Sequence, residues 1–261
     1  MKERSLGEPP QKRILGLKME LWRVAIAVGF AQFSISLWYW EFSIFLETII
    51  VPWQMGLVLG AGTFVSLLGY QVAGILSDII GRKRTLLVSF IPYGIGLGIL
   101  SIFPVWPFLL IEFPIIMFGW SMIIVVSRAI PADAVAVDRG KNSARTFTMI
   151  LLPAFLMDGL SPIFASLLLN NGYTSSQLHL LAGFMTIFTL FITNRYVSES
   201  LASETSDKAR EGPIISFNNL GRNFWIVTSG MLLIYFFHTA ATGYLGNLAV
   251  GEWGIAREMY G

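Results

Sequence analysis

The chain of 261 residues is 54% hydrophobic and only 13% charged, about half the charged share of an average soluble domain. Its net charge is +2 and it has no cysteine, which excludes a disulfide framework, thiolate chemistry and an electrostatically held nucleic-acid partner. A composition this poor in charge suits a lipid bilayer, and the expected partners are the bilayer and a small solute.

Residues 1–20 read as a polar, basic cytoplasmic tail. Within it and just beyond, RILGLKMELWR (13–23) is either an amphipathic helix lying in the membrane interface or ordinary tail. The first apolar run is too long for the core of a cleavable signal peptide. Apolar stretches of about 20 residues, enough for a ~30 Å hydrocarbon core, then recur. The predicted spans are Leu21–Phe45, Gln54–Ser77, Thr85–Phe103, Trp106–Ile130, Phe147–Leu169, Leu178–Tyr196 and Phe224–Leu245. Basic residues gather before the first span, after the second, and around the 4–5 and 6–7 connections. The 1–2, 3–4 and 5–6 connections carry no Lys or Arg. The amino terminus is therefore expected in the cytoplasm, and the cell membrane is the default location.

Span one carries Gln32, Ser36, Tyr39 and Ser43 at helical spacing, hence on one face. With Trp38 and Trp40 nearby, that face suits hydrogen bonding and stacking on a polar solute; an interfacial aromatic belt is the competing reading. Glu41 follows in the outer part of the span, close enough to the interface for water to reach it.

Between spans two and three stands GILSDIIGRKRTLL (74–87). Gly74 lets another helix approach, and Gly81 supplies a tight turn. Asp78 lies at the membrane boundary, where a carboxylate seeks Arg82, Lys83 or the positive end of a helix. Such a cluster either latches one conformation or merely anchors the loop on the cytoplasmic side.

Further along, Glu112 sits in the outer half of span four, with Ile116 and Gly119 below it on the same face. Asp158 lies near the centre of span five, between Pro153 and Pro162, where it shares a stripe with Leu151, Phe155, Ser161 and Ala165. A mid-membrane carboxyl costs about 3 kcal/mol on insertion scales. Asp158, Glu112 and Glu41 are thus candidates for binding a coupling proton, against the alternative of inert, hydrogen-bonded acids. Residues 198–222 are polar and rich in Ser and Glu, a cytoplasmic linker after a six-helix bundle at 21–197. Residues 223–261 hold one more span, on which Tyr235, His238 and Thr242 share a face. His238 is a candidate solute contact or a packing residue. His179 and His238 are the only histidines, and neither has a second ligand at metal-binding spacing.

The pattern Gly74-x-Leu76-Ser77-Asp78-x-x-Gly81-Arg82-Lys83-x-x-Leu86 resembles the signature loop of the major facilitator superfamily. Ile79 stands where that family usually has Arg or Lys. The stretch SRAIPADAVAVDRGKNSAR (127–145) and Val197-Ser198-Glu199-Ser200 resemble segments of the sugar and metabolite porters, with Ser198 in place of Pro. The resemblance covers an amino-terminal half and the first helix of a second half. It implies an all-α polytopic membrane bundle of the major facilitator fold, six helices plus a seventh span, incomplete relative to twelve. It also implies a secondary transporter for a sugar or organic metabolite, working by alternating access and proton symport. Gly74, Asp78, Gly81, Arg82 and Lys83 would form the gating loop, and a missing carboxy-terminal half would be a partner. No P-loop, H-E-x-x-H or G-x-S-x-G is present, so neither a cofactor nor catalytic residues are expected. A non-transporting fragment or split-gene half is the alternative, and an intramembrane enzyme a more distant one.

Overall fold

The computed structural model describes residues 13–137, 143–200, 221–242 and 245–255. It opens on a two-stranded hairpin, β1 (Arg13–Ile14) and β2 (Leu17–Lys18), with Arg13 facing Lys18. Leu15 and Gly16 turn it with φ of 52° and 84°, the pair of positive φ values that suits a two-residue hairpin loop. Segment 13–23 is thus neither an interfacial helix nor plain tail. Trp22 donates to the Ile14 carbonyl (2.9 Å), which folds the hairpin onto the first helix.

Helices α1 (Met19–Ser36) and α2 (Phe42–Ile49) occupy the first expected span. They are followed by α3 (Pro52–Ile79), α4 (Arg82–Ile102), α5 (Leu109–Val137), α6 (Ser143–Asn170), α7 (Ser175–Tyr196) and α8 (Arg222–Thr242). A short helical turn (Leu245–Asn247) runs into a π-helical one (Leu248–Glu252). Among the described residues, α3 to α7 are the five helices long and apolar enough to cross a membrane. The chain is an all-α polytopic membrane bundle.

Two expectations fail locally. The first span is broken: α1 stops at Ser36, and Leu37–Glu41 wind tightly, with Glu41 N on Trp38 O (3.2 Å) and Phe42 N on Tyr39 O (3.3 Å). Trp38 and Glu41 are both fully buried, and their separate partners pull this stretch off the helix axis. The fourth span is longer than expected, because α5 continues through Pro131 and Asp133 to Val137. Arg139 and Lys141 lie outside the described residues, as does most of the linker 198–222.

The bundle closes by α5 packing on α3 and α4, α1 on α6 and α7, and α7 on α4. Without a hydrophobic drive between helices in lipid, small residues that let backbones approach do this work. A Cβ at Gly69 would collide with Ser121 and the Phe118 carbonyl, and one at Gly119 with the backbone of Tyr93. Serine hydroxyls add bonds between helices: Ser34 to Ala182 O (2.8 Å) joins α1 to α7, and Ser161 to Phe33 O (2.8 Å) joins α6 to α1. Thr174 caps α7 reciprocally with Gln177, a capping box. Beyond α8, Asn247 donates to Ser43 O (3.2 Å) and to Glu47 (2.5 Å), tying that segment to α2.

Candidate functional site

Two polar clusters stand out, one along the helices and one at a bundle end. The first joins α1 to α6. Asp158, bracketed by Pro153 and Pro162 within α6, accepts from Gln32 Nε2 (2.9 Å) and from Ser36 Oγ. Gln32 Nε2 also reaches Ser36 Oγ (2.9 Å). The carboxyl side chain remains exposed, so it can meet a solute or a proton while two neutral donors hold it. Gln32 and Ser36 are one helical turn apart and converge on a single carboxylate oxygen. The expected stripe around Asp158 divides: Leu151, Ser161 and Ala165 are buried, whereas Phe155 is 62% exposed.

Tyr39 does not continue the Gln32–Ser36 face, because the helix has already ended. It turns onto Trp120 of α5, with ring centroids 4.4 Å apart. Trp38 is fully buried and donates to Tyr93 Oη (3.0 Å), which removes it from an interfacial belt. His238 lies on α8, and its side chain lies outside the described residues.

Glu112 and Glu41 lie elsewhere, and both are buried. Glu112 is in the first turn of α5, and neither of its carboxyl oxygens has a hydrogen-bond partner among the described residues. Its face packs on α4, where Ile116 meets Gly96 and Gly119 meets Tyr93. Glu41 is not reached by water as expected, because its place in the α1–α2 break turns it inward. It accepts from Ser175 Oγ (2.9 Å) at the start of α7.

The second cluster sits at the α3–α4 turn. Arg82 Nη1 pairs with Asp78 Oδ1 (2.6 Å), one turn back, and donates to Ser77 Oγ (2.5 Å). Its Nε donates to Asp133 Oδ2 on α5 (3.0 Å). Lys83 takes another route, donating to the Asn194 carbonyl of α7 (2.8 Å). Gly81 holds φ at 102°, and a Cβ there would run into Glu199. The Glu199 carboxylate accepts from the backbone N–H groups of Arg82 (2.7 Å) and Lys83 (3.2 Å), and so caps α4. Ser200 Oγ bonds Asp133 (3.2 Å) and closes the cluster.

One loop residue behaves differently from expectation. Gly74 has open space around it among the described residues, with nothing within 4 Å of a Cβ built there. Sequence reasoning also missed Asp133 and Glu199 as members. The available signal was a carboxylate just beyond each of two expected spans, the fourth and the sixth, whose ends face the 74–87 loop.

The sequence matches no protein-family profile and no curated protein. Among solved structures, a mutant form of the peptide transporter POT bound to sulfate superposes with a TM-score of 0.59 at 14% identity. That match covers 96% of this chain and 50% of the transporter. The same transporter bound to alafosfalin gives a TM-score of 0.56 at 15% identity, covering 94% and 51%. The chain therefore spans about half the length of the solved transporters it resembles and shares their major facilitator type of fold.

Proposed function

We propose that this chain belongs to a secondary transporter moving a small polar solute by alternating access, with Asp158 as the carboxyl that binds solute or coupling proton. The observation that carries this reading is the Asp158–Gln32–Ser36 triad, a carboxylate exposed within a membrane bundle and positioned by a second helix. A carboxyl left in apolar surroundings is unfavourable unless it has such partners. The Arg82 cluster is the latch in this reading. It joins α3, α4, α5 and the end of α7 through charged groups that can separate when the helix ends move. A second bundle, on the same polypeptide or another, completes the central path.

The solute is proposed to carry an ammonium group, as short peptides do. An ammonium pairs with a carboxylate directly and gains more from it than a neutral sugar hydroxyl does. The peptide-transporter neighbours favour the same choice over the sugar expectation. Competition against uptake of a labelled dipeptide in proteoliposomes tests it. Unlabelled dipeptides and amines should compete, and glucose should not; competition by glucose alone would return the sugar reading.

A further inference from the structure

The β1–β2 hairpin stands at the bundle end where α3 turns into α4, because the spans alternate in direction and α1 and α6 both start there. Leu17 points from it into the core, and Trp22 fixes its depth by donating to the Ile14 carbonyl. The outer residues are apolar as well. Leu15 is 67% exposed, and Ile14 before it and Met19 at the start of α1 are exposed too. Leu15 takes the first central position of the turn with φ of 52°. Asn, Asp or Gly is the usual occupant of that left-handed position, and another residue there is uncommon. In water this leucine would be both strained and unburied.

Three cations surround the apolar tip. Lys18 closes the hairpin, and Arg23 lies one turn along α1 from Met19. The Arg145 guanidinium, from the first turn of α6, lies 3.9 Å from where a Gly16 Cβ would stand. Arg23 and Arg145 are exposed, and Lys18 is half-buried. Among the described residues none of the three stands in an ion pair, and Glu20, the nearest acid in sequence, joins none of them. At the same end Arg82 and Lys83 are committed to protein partners.

We propose that the hairpin is an interfacial anchor for anionic phospholipid. Ile14, Leu15 and Met19 enter the boundary between headgroups and acyl chains, and Lys18, Arg23 and Arg145 hold the headgroup phosphates. Long cationic side chains fit that boundary, since their stems stay in the apolar layer while the charged ends reach out. A guanidinium also bonds two phosphate oxygens at once, and an indole is a common neighbour of headgroups. Each cation near an anionic surface raises affinity about fivefold, so the occupant carries net negative charge. An acidic protein segment would match the cations but would not supply the apolar layer that Leu15 requires. The anchor lies apart from Asp158 and does not rest on the transport reading.

The chain has no cysteine, so Leu15→Cys accepts a single nitroxide. Its access to lipid-soluble oxygen and to a water-soluble nickel chelate is read in two kinds of nanodisc. One is phosphatidylcholine alone, and the other is equal parts phosphatidylcholine and phosphatidylglycerol. The label is the same in both, so the difference between them reports headgroup charge. With phosphatidylglycerol the nitroxide should keep its oxygen access, and its nickel access should fall about fivefold or more. Adding Lys18→Gln and Arg145→Gln should remove most of that difference. If Leu15→Cys does not fold, Ile14→Cys reads the same tip. Equal nickel access in the two lipids overturns the proposal, as does a nitroxide shielded from both reagents by protein. A difference that survives the double substitution overturns the assignment of the cations.

Discussion

Arg82 Nε stands 3.0 Å from Asp133 Oδ2, so the first residue of α4 is tied to the last part of α5 across 51 positions of sequence. The same guanidinium holds Asp78 at 2.6 Å. The two carboxylates differ in setting, since the Asp133 side chain is 25% exposed and that of Asp78 49%. Exposed pairs contribute about 0–1 kcal/mol, and removing one partner of a more buried pair costs more. A double-mutant cycle on thermal or denaturant stability should thus find stronger coupling for Arg82 with Asp133 than with Asp78. Arg82→Ala should slow transport far more than it lowers abundance, because the cluster acts on the conformational equilibrium. Equal transport by wild type and Arg82→Ala would reduce the cluster to an anchor.

Gly81 and Glu199 make a second test of the same end. A side chain at φ of 102° is strained wherever it stands, at a cost of about 1–3 kcal/mol. Gly81→Ala should therefore destabilise the protein even in a Glu199→Ala background, where the collision with the carboxylate is relieved. Glu199→Gln should cost about 1 kcal/mol, the loss of a charged cap on α4. Melting temperatures in detergent would show it. Full additivity of Gly81→Ala and Glu199→Ala would contradict the contact.

Gly74 gives the opposite expectation. Nothing lies within 4 Å of a Cβ there, and the residue sits inside α3, so Gly74→Ala should stabilise by about 0.5–1 kcal/mol through the unfolded chain. Gly69→Ala should destabilise, because Ser121 and the Phe118 carbonyl fill that space. If a second bundle docks against α3, Gly74→Leu will retain stability and lose transport. Retained transport in that variant would show that no helix approaches there.

The parts of the fold that follow from hydropathy were legible in the sequence, and α3, α4, α6 and α7 begin and end within a few residues of expectation. The loop pattern also pointed to the Asp78–Arg82 pair, because four residues on a helical path bring the groups together. What escaped reading depended on tertiary contacts. Trp38 and Glu41 break α1 from α2 because their partners, Tyr93 and Ser175, belong to distant helices. Helical spacing therefore grouped Tyr39 with Gln32 and Ser36, across a break no local signal marks. Pro131 read as a loop residue, yet α5 carries it two turns from its end and delivers Asp133 to Arg82. For His179 the sequence showed only the lack of a second metal ligand, since its aromatic surround comes from the α1–α2 break and α2.

The central claim is that Asp158, held by Gln32 and Ser36, couples solute movement to protons. The direct measurement is accumulation of a labelled dipeptide in proteoliposomes under an imposed pH gradient, beside exchange without a gradient. Asp158→Asn keeps the shape and a hydrogen bond but cannot change protonation. Accumulation should fall at least ~10-fold, equivalent to about 1.4 kcal/mol of lost coupling, while exchange weakens less, because the Asn carbonyl still accepts a hydrogen bond from the solute ammonium. Gradient-driven accumulation that survives undiminished in Asp158→Asn would contradict the account and leave Asp158 a packing residue of α6.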